Sequence, residues 1–362
     1  MHNGKFKILH LGDIHLGREF SLEGVVGSAF SLRREEIWKT FEMALEFAKN
    51  SDVKIVLIPG DLYENDSMSL SNLDRLNYLF EKYGDINFVI SLGNHDHISV
   101  KSEYLASNSP KNVYIFSESL EYVEIEQKVR IYGFSWSKVE YEYFEIPEVS
   151  LDDNYINILS IHGTNSPANN YLPLDIPKLE SWGFDYIALG HIHKPGRIGE
   201  KTYYSGSIEP LSFSDIGERG GFLIDFTNGN HMVNFVNFAS RQYRILEVDV
   251  TGIVNNIELY ACVEELIKNI DEKDFLKINF FGKHNNLELE QLNNIFGQRF
   301  FYFELVDLTT SLIDVDVLLY ENKNNLLGKY LTHVLENYSG KEQEKLINIG
   351  IEVFPWREEF EA

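Results

Sequence analysis

The sequence predicts an α/β protein: two packed β-sheets flanked by helices, then a small α+β module and a helical tail. Three observations carry this. Over the first hundred residues, short β-branched or leucine-rich runs alternate with stretches of helical period. The pattern then changes to closely spaced strands, more than one parallel sheet requires. Beyond about residue 240, strand and helix signals alternate again and end in long apolar-striped helices.

Taken in order, Phe6 to Leu11, Lys54 to Ile58 and Asn87 to Leu92 are apolar runs of strand length, as buried strands require. Between them, Ile37, Phe41, Ala44, Leu45 and Ala48 share one helical face, and Leu73, Leu76, Leu79 and Phe80 another. From Val113 to Trp136 the helices disappear, and Val123, Ile125, Val129, Ile131 and Tyr132 predict a hairpin. Ile156 to Ile161, Tyr186 to Leu189, Thr202 to Ser205, Gly221 to Phe226 and His231 to Phe238 supply further strands. A boundary is expected near Ser240. After it come strands at Arg244 to Val250, Phe275 to Phe281 and Phe300 to Asp307, with helices at Asn256 to Ile270 and Leu287 to Phe296. The tail helix runs from about Asn325 to Ile349, interrupted at Ser339-Gly340. The expected organisation is a main domain over 1–240, a module over 241–322 and a tail over 323–362.

Composition narrows the function classes. The chain has 362 residues, 44% hydrophobic and 24% charged, enough apolar content to build a full core. Asp and Glu total 56 against 32 Lys and Arg, a net charge of −24, which excludes a basic nucleic-acid coat. A nucleic-acid substrate stays possible, because a bound cation inverts the field locally. The single cysteine, Cys262, excludes an internal disulfide and zinc–thiolate chemistry. No apolar run approaches the roughly 20 residues of a membrane span, and no signal-like segment is visible, so a cytoplasmic protein is expected.

Five predicted strands each end in metal-ligand residue types: Gly12-Asp13-Ile14-His15, Gly60-Asp61, Gly93-Asn94-His95-Asp96, His162-Gly163 and Gly190-His191-Ile192-His193. The carboxyl ends of strands are where open α/β sheets bind ligands. Extended-chain geometry puts residues i and i+2 on one side, so Asp13 with His15, and His191 with His193, are each expected to face an ion. Any one of these motifs is weak, since Gly-Asp is usually a turn. Five in succession, each directly after a buried strand, point to one site.

The ligand set fits two ions. Asp61 is expected to bridge a first ion held by Asp13, His15 and His193 and a second held by Asn94, His162 and His191. Nitrogen and oxygen donors without thiolate suit manganese, iron or zinc. Two such ions form the clamp used for in-line displacement at phosphorus, with a bridging water as the expected hydroxide nucleophile. Their charge exceeds that of Asp13, Asp61 and the hydroxide together, so the cluster attracts a phosphate within an acidic protein. His95 is placed to protonate the leaving oxygen or grip a phosphate oxygen, with Asp96 either fixing its tautomer or serving only as a turn carboxylate.

This series of motifs resembles the calcineurin-like metallophosphoesterase superfamily. The resemblance implies a four-layer α/β/β/α sandwich with a two-metal site. Tyr186-Ile-Ala-Leu-Gly-His-Ile-His-Lys-Pro195, Tyr204-Ser-Gly-Ser-Ile-Glu-Pro210, Ser214 to Glu218 and Arg219-Gly-Gly-Phe222 resemble the DNA repair exonucleases of the SbcD type, in their YhaO-like branch. That implies a manganese-dependent nuclease acting on DNA, a DNA-capping role for the small module, a coiled-coil ATPase partner of the SbcC or YhaN kind, and a homodimer. One position departs. Archaeal and eukaryotic relatives have a second active-site histidine three residues after the bridging aspartate, where this chain has Glu64, read equally as a solvated loop residue or a neighbour of the metals. Two rival functions stand beside the nuclease: a phosphoesterase for a small nucleotide or lipid-linked substrate, and a non-catalytic scaffold.

Other features are more ambiguous. Arg18, Arg33 and Arg34 read as surface charge or as DNA-backbone contacts. Trp136 and the run Tyr141-Glu-Tyr-Phe144 read as packing or as base-stacking platforms. In the tail, Leu326, Leu327, Tyr330, Leu331, Val334 and Leu335 form one stripe and Leu346, Ile347 and Ile349 a second, read equally as a docking surface for a partner's coiled coil or as packing on the chain's own module.

Overall fold

The computed structural model describes residues 5–20, 27–125, 128–142, 145–167, 170–227, 230–284 and 287–354. It divides into two units, Met1–Gln242 and Tyr243–Ala362.

The first unit holds two six-stranded sheets. One has the order β12 (Asn230–Asn237), β11 (Gly220–Thr227), β1 (Lys5–His10), β2 (Val53–Pro59), β3 (Asn87–Ser91), β4 (Val113–Ile115), with β1 to β4 parallel. The other runs β5 (Glu121–Ile125), β6 (Val129–Gly133), β7 (Ile156–His162), β8 (Tyr186–Gly190), β10 (Thr202–Tyr204), β9 (Gly196–Arg197). There β6, β7, β8 and β10 are parallel, and β5 pairs antiparallel with β6 as the predicted hairpin.

Side-chain alternation decides which layer each residue joins. Ile8, Ile55, Leu57 and Val89 of the first sheet meet Ile131, Ile158 and Ala188 of the second in one buried core. Leu9, Val56 and Ile58 point the other way, onto Ile37, Phe41, Ala44 and Leu45 of α1 (Gly27–Asn50) and Leu73, Leu76 and Phe80 of α2 (Leu70–Lys82). Helix α3 (Val100–Asn108) joins the same layer through Leu105 and starts at a Ser99 capping box. On the far face of the second sheet, Leu159, Ile161, Ile187 and Leu189 pack against Leu179 of α4 (Ile176–Ser181). The result is a four-layer α/β/β/α sandwich, with the carboxyl ends of β1, β2, β3, β7 and β8 carrying the five motifs.

Several ambiguous residues are assigned by this packing. Trp136 and Tyr141 are core residues of the outer layer, while Tyr143 and Phe144 lie outside the described residues. Arg33 is not a DNA-contact candidate. It is buried and pairs with Glu36 at 2.6 Å and Glu209 at 3.2 Å, because a charge at that point of α1 is shut away from water against the Glu209-Pro210 segment and must be neutralised there.

In the second unit, β13 (Tyr243–Asp249), β14 (Phe275–Phe281) and β16 (Tyr302–Asp307) form a wholly parallel sheet in the order β13-β14-β16. Helices α5 (Asn256–Ile267) and α6 (Gln291–Phe296) provide the crossovers and bury Leu259, Val263, Leu292 and Phe296 on Leu276, Ile278 and Phe280. A two-residue ladder joins β15 (Lys283–His284) to β17 (Thr310–Ser311). Leu318 of α7 (Val315–Asn322) shares a cluster with Leu327, Leu331 and Val334 of α8 (Leu326–Asn337) and Ile347 of α9 (Gly340–Val353). This groups α7 with the tail helices. Leu326, by contrast, is exposed. Among the described residues no helix is long and apolar enough to cross a membrane.

Candidate metal centre

The five motifs meet at one end of the sandwich. Their convergence does not come from extended chain. Strand β1 stops at His10, β2 at Pro59 and β8 at Gly190, and beyond them Asp13 (φ +48°), His15 (φ +53°), Asp61 (φ +54°) and His191 (φ +104°) all adopt left-handed backbone. Non-glycine residues rarely sit there, and the strain at four residues of one site marks a geometry that the surrounding fold over-determines. The i, i+2 expectation is therefore corrected for the last motif. His193 turns toward His15, with their Nε2 atoms 3.2 Å apart, whereas the His191 ring lies 5.2 Å from that of His162. Glycine is required beside these turns: a Cβ on Gly60 would run into the His162 ring, and one on Gly93 would sit 2.5 Å from Asp61 Oδ1.

Among the described residues three groups of donors result, one of them His15, Glu64 and His95 at the edge of the site. Asp13, His15 and His193 bring one ligand atom each within 4.8 Å of one another, and so do Asp13, Asp61 and His162. Asp61 belongs to the second group and reaches toward the first, its Oδ2 3.8 Å from His15 Nε2 and 3.5 Å from His162 Nε2. Asn94 Oδ1 is 2.9 Å from His162 Nε2, and His162 Nδ1 is held by the Pro59 carbonyl at 3.0 Å. Apart from His193, whose side chain is 28% exposed, the members of the two groups that share Asp13 are buried. Buried carboxylates and facing ring nitrogens of this kind are a donor set that divalent cations fit, with no thiolate among them.

A family model decides the identity: the calcineurin-like phosphoesterase model matches residues 6–195, a span that includes every one of these donors. The chain belongs to the calcineurin-like phosphoesterase family. It is a metal-dependent phosphoesterase, and the family uses a dinuclear metal site. The chain is 27% identical to the uncharacterized metallophosphoesterase YhaO of Bacillus subtilis, covering 73% of this chain and 68% of that one. It is 26% identical to the DNA double-strand break repair protein Mre11 of Sulfolobus acidocaldarius, covering 76% and 75% respectively. A dimetal phosphatase from Danio rerio superposes with a TM-score of 0.41 at 10% identity, over 64% of this chain and 96% of that one.

Within this phosphoesterase site the outer partners differ from expectation. Asp96 does not orient His95. It is fully buried, and its carboxylate accepts the backbone N–H groups of Gly93 (2.6 Å), Asp61 (3.1 Å) and Leu62 (2.7 Å), tying the second and third motifs together. Burial and the Asp61 charge raise its pKa to about 7 against the pull of those hydrogen bonds. The group that holds His95 is Glu64, whose Oε2 is 2.7 Å from His95 Nδ1. Its Oε1 is 2.9 Å from His15 Nδ1 and accepts from Arg18 at 3.0 Å. Glu64 is thus a neighbour of the centre, and Arg18 is its counter-ion. The only sequence signal for this was its position three residues after Asp61.

Electrostatics divide the histidines. Burial lowers His191 to about 3, helped by the neighbouring His162, so its ring is neutral as a ligand requires. Burial also lowers His95, but the Glu64 hydrogen bond and the charges of Asp61 and Glu64 outweigh it and raise the ring to about 9. His10, outside the site, is buried and lowered to about 3 by desolvation, with its ring against Tyr186 and the Leu189 carbonyl: a structural histidine.

Proposed function

We propose that the protein is a two-metal phosphodiesterase that hydrolyses DNA, of the SbcD-like repair-nuclease type. The observation that carries it is Asp61 within reach of both His15 and His162, in two neighbouring donor groups that share Asp13, with His95 at their edge. Asp13, His15 and His193 would hold one ion and Asn94, His162 and His191 the other, with Asp61 available to both. Bound divalent ions supply Lewis acidity at phosphorus and a hydroxide nucleophile at neutral pH. His95, catalytic in this reading, donates Nδ1–H to Glu64 and keeps its other ring nitrogen for the departing oxygen or a non-bridging phosphate oxygen. Asp96 is assigned a structural task in place of a catalytic one. Manganese is the proposed metal, with iron or zinc compatible with the same donors.

DNA as substrate is supported by the likeness to a DNA break-repair protein, which covers 76% of the chain and so extends beyond the family match. The same reading includes a coiled-coil ATPase partner of the SbcC or YhaN kind, a homodimer, a capping role for the second unit and a cytoplasmic location. Since α7 packs with α8 and α9, partner docking is best tested by truncation before Val315; undiminished capture of the ATPase by the shortened chain would exclude the helical segment. The substrate is tested by comparing a labelled DNA duplex with a generic phosphate ester in manganese. Cleavage of the duplex is expected. Turnover of the small ester alone would instead favour the small-substrate phosphoesterase, with which the acidic net charge of −24 agrees.

A further inference from the structure

His193 differs from the other members of its donor group. Asp13 and His15 are sealed by packing, but His193 stands on the loop between β8 and β9 with its side chain 28% exposed. A ring so placed is free to rotate unless a hydrogen bond fixes it. Its Nε2 faces His15, and its Nδ1 lies 3.3 Å from Asp215 Oδ2. Asp215 belongs to a separate segment, 22 residues further along and beyond the stretch that matches the family model.

The carboxylate is itself held in place. The same Oδ2 accepts the Leu211 N–H at 2.9 Å, and Oδ1 lies 3.8 Å from Arg219 Nη2. Arg219 is buried and donates from Nη1 to the Ile216 and Glu218 carbonyls at 3.1 and 2.8 Å, so it is fixed by the loop that it closes. A histidine with one nitrogen toward a cation and its other N–H on an anchored carboxylate has its tautomer and its ring angle set, and its basicity raised.

We propose that Asp215 is a positioning residue that fixes His193 for the first ion, the one shared with Asp13 and His15. This rests on the reading of His193 as a ligand. It makes a prediction that loop stabilisation alone does not: Asp215 touches one donor group and not the other, so its loss weakens one ion of the pair.

The test uses the full chain stripped of metal and titrated with Mn2+, with free Mn2+ followed by electron paramagnetic resonance. The parent is expected to bind two ions. In Asp215→Ala, one site is expected to weaken by about tenfold to a hundredfold while the other keeps the parent affinity. Asp215→Asn retains the size and an acceptor for the Leu211 N–H, and is expected to weaken the same site by a smaller factor. If Asp215→Ala does not fold, Asp215→Asn decides by the same criterion. Two sites of parent affinity, or two sites weakened equally, would overturn the proposal. A parent that takes up no Mn2+ would overturn the metal-centre reading, and the proposal with it, a result distinguishable from both.

Discussion

Replacing Glu64 with Gln removes one charge and keeps the side chain's shape, so His95 loses its anionic partner along with His15 and Arg18, and the His95 share is read from its pH dependence. In the metal-free protein that ring is raised from the ordinary 6.5 to about 9. Taken at face value, the difference is worth about 3 kcal/mol of preference for the protonated ring. The His95 side chain is 35% exposed, however, and solvent screening brings the contribution down to about 1–2 kcal/mol. The sign follows from linkage. A pKa raised on folding contributes stability that is complete below the unfolded value near 6.5 and is lost as the pH climbs through about 9. The stability deficit of Glu64→Gln should therefore be about 1–2 kcal/mol larger at pH 6 than near pH 10, where only the Arg18 and His15 contacts of Glu64 still separate it from the parent, as read from urea unfolding of chelator-treated protein. Long-range proton–nitrogen NMR should show the His95 ring titrating well below 9 in the variant, since the Asp61 charge is then left to oppose burial without Glu64. A variant in which His95 still titrates near 9 would refute the assignment of Glu64 as its partner.

Three further outcomes are expected. His95→Ala should retain both metals, measured by elemental analysis, while hydrolysis slows by about a hundredfold or more; cleavage at the parent rate would remove His95 from the reaction. Asp96→Ala leaves the N–H groups of Gly93, Asp61 and Leu62 without their acceptor, at about 1–3 kcal/mol for each one that water does not reach. Its urea stability should fall by about 3 kcal/mol or more, and a fall below about 1 kcal/mol would contradict the structural role given to it. Glu209→Ala takes from buried Arg33 one of its carboxylate partners and from Thr40 and the Ser240 N–H their acceptor. The expected destabilisation is about 3–5 kcal/mol, and a double-mutant cycle with Arg33→Met should show strong coupling.

The sequence by itself determined the layers and the inventory of the centre. Periodicity is a local property: Ile37, Phe41 and Leu45 declare a buried helix face wherever that helix packs, and the run Phe275 to Phe281 declares a strand. Metal chemistry is also locally legible, because each strand end must carry a ligand type beside a residue small enough to admit a turn, as at Gly60-Asp61 and Gly93-Asn94. Only the tertiary structure decided what the isolated acidic residues do. Asp96 looked like a partner for the histidine beside it and instead holds backbone 34 and 35 residues away. Glu209 and Asp215 stood in runs that signalled only a resemblance, and Glu64 in a position open to two readings, since their meaning lies in contacts with Arg33, His193 and His95, separated from them by 176, 22 and 31 positions. Hydrophobic period is written along the chain because burial repeats with every turn. A hydrogen bond to a single carboxylate does not repeat, so it becomes visible only when folding has brought its two ends together.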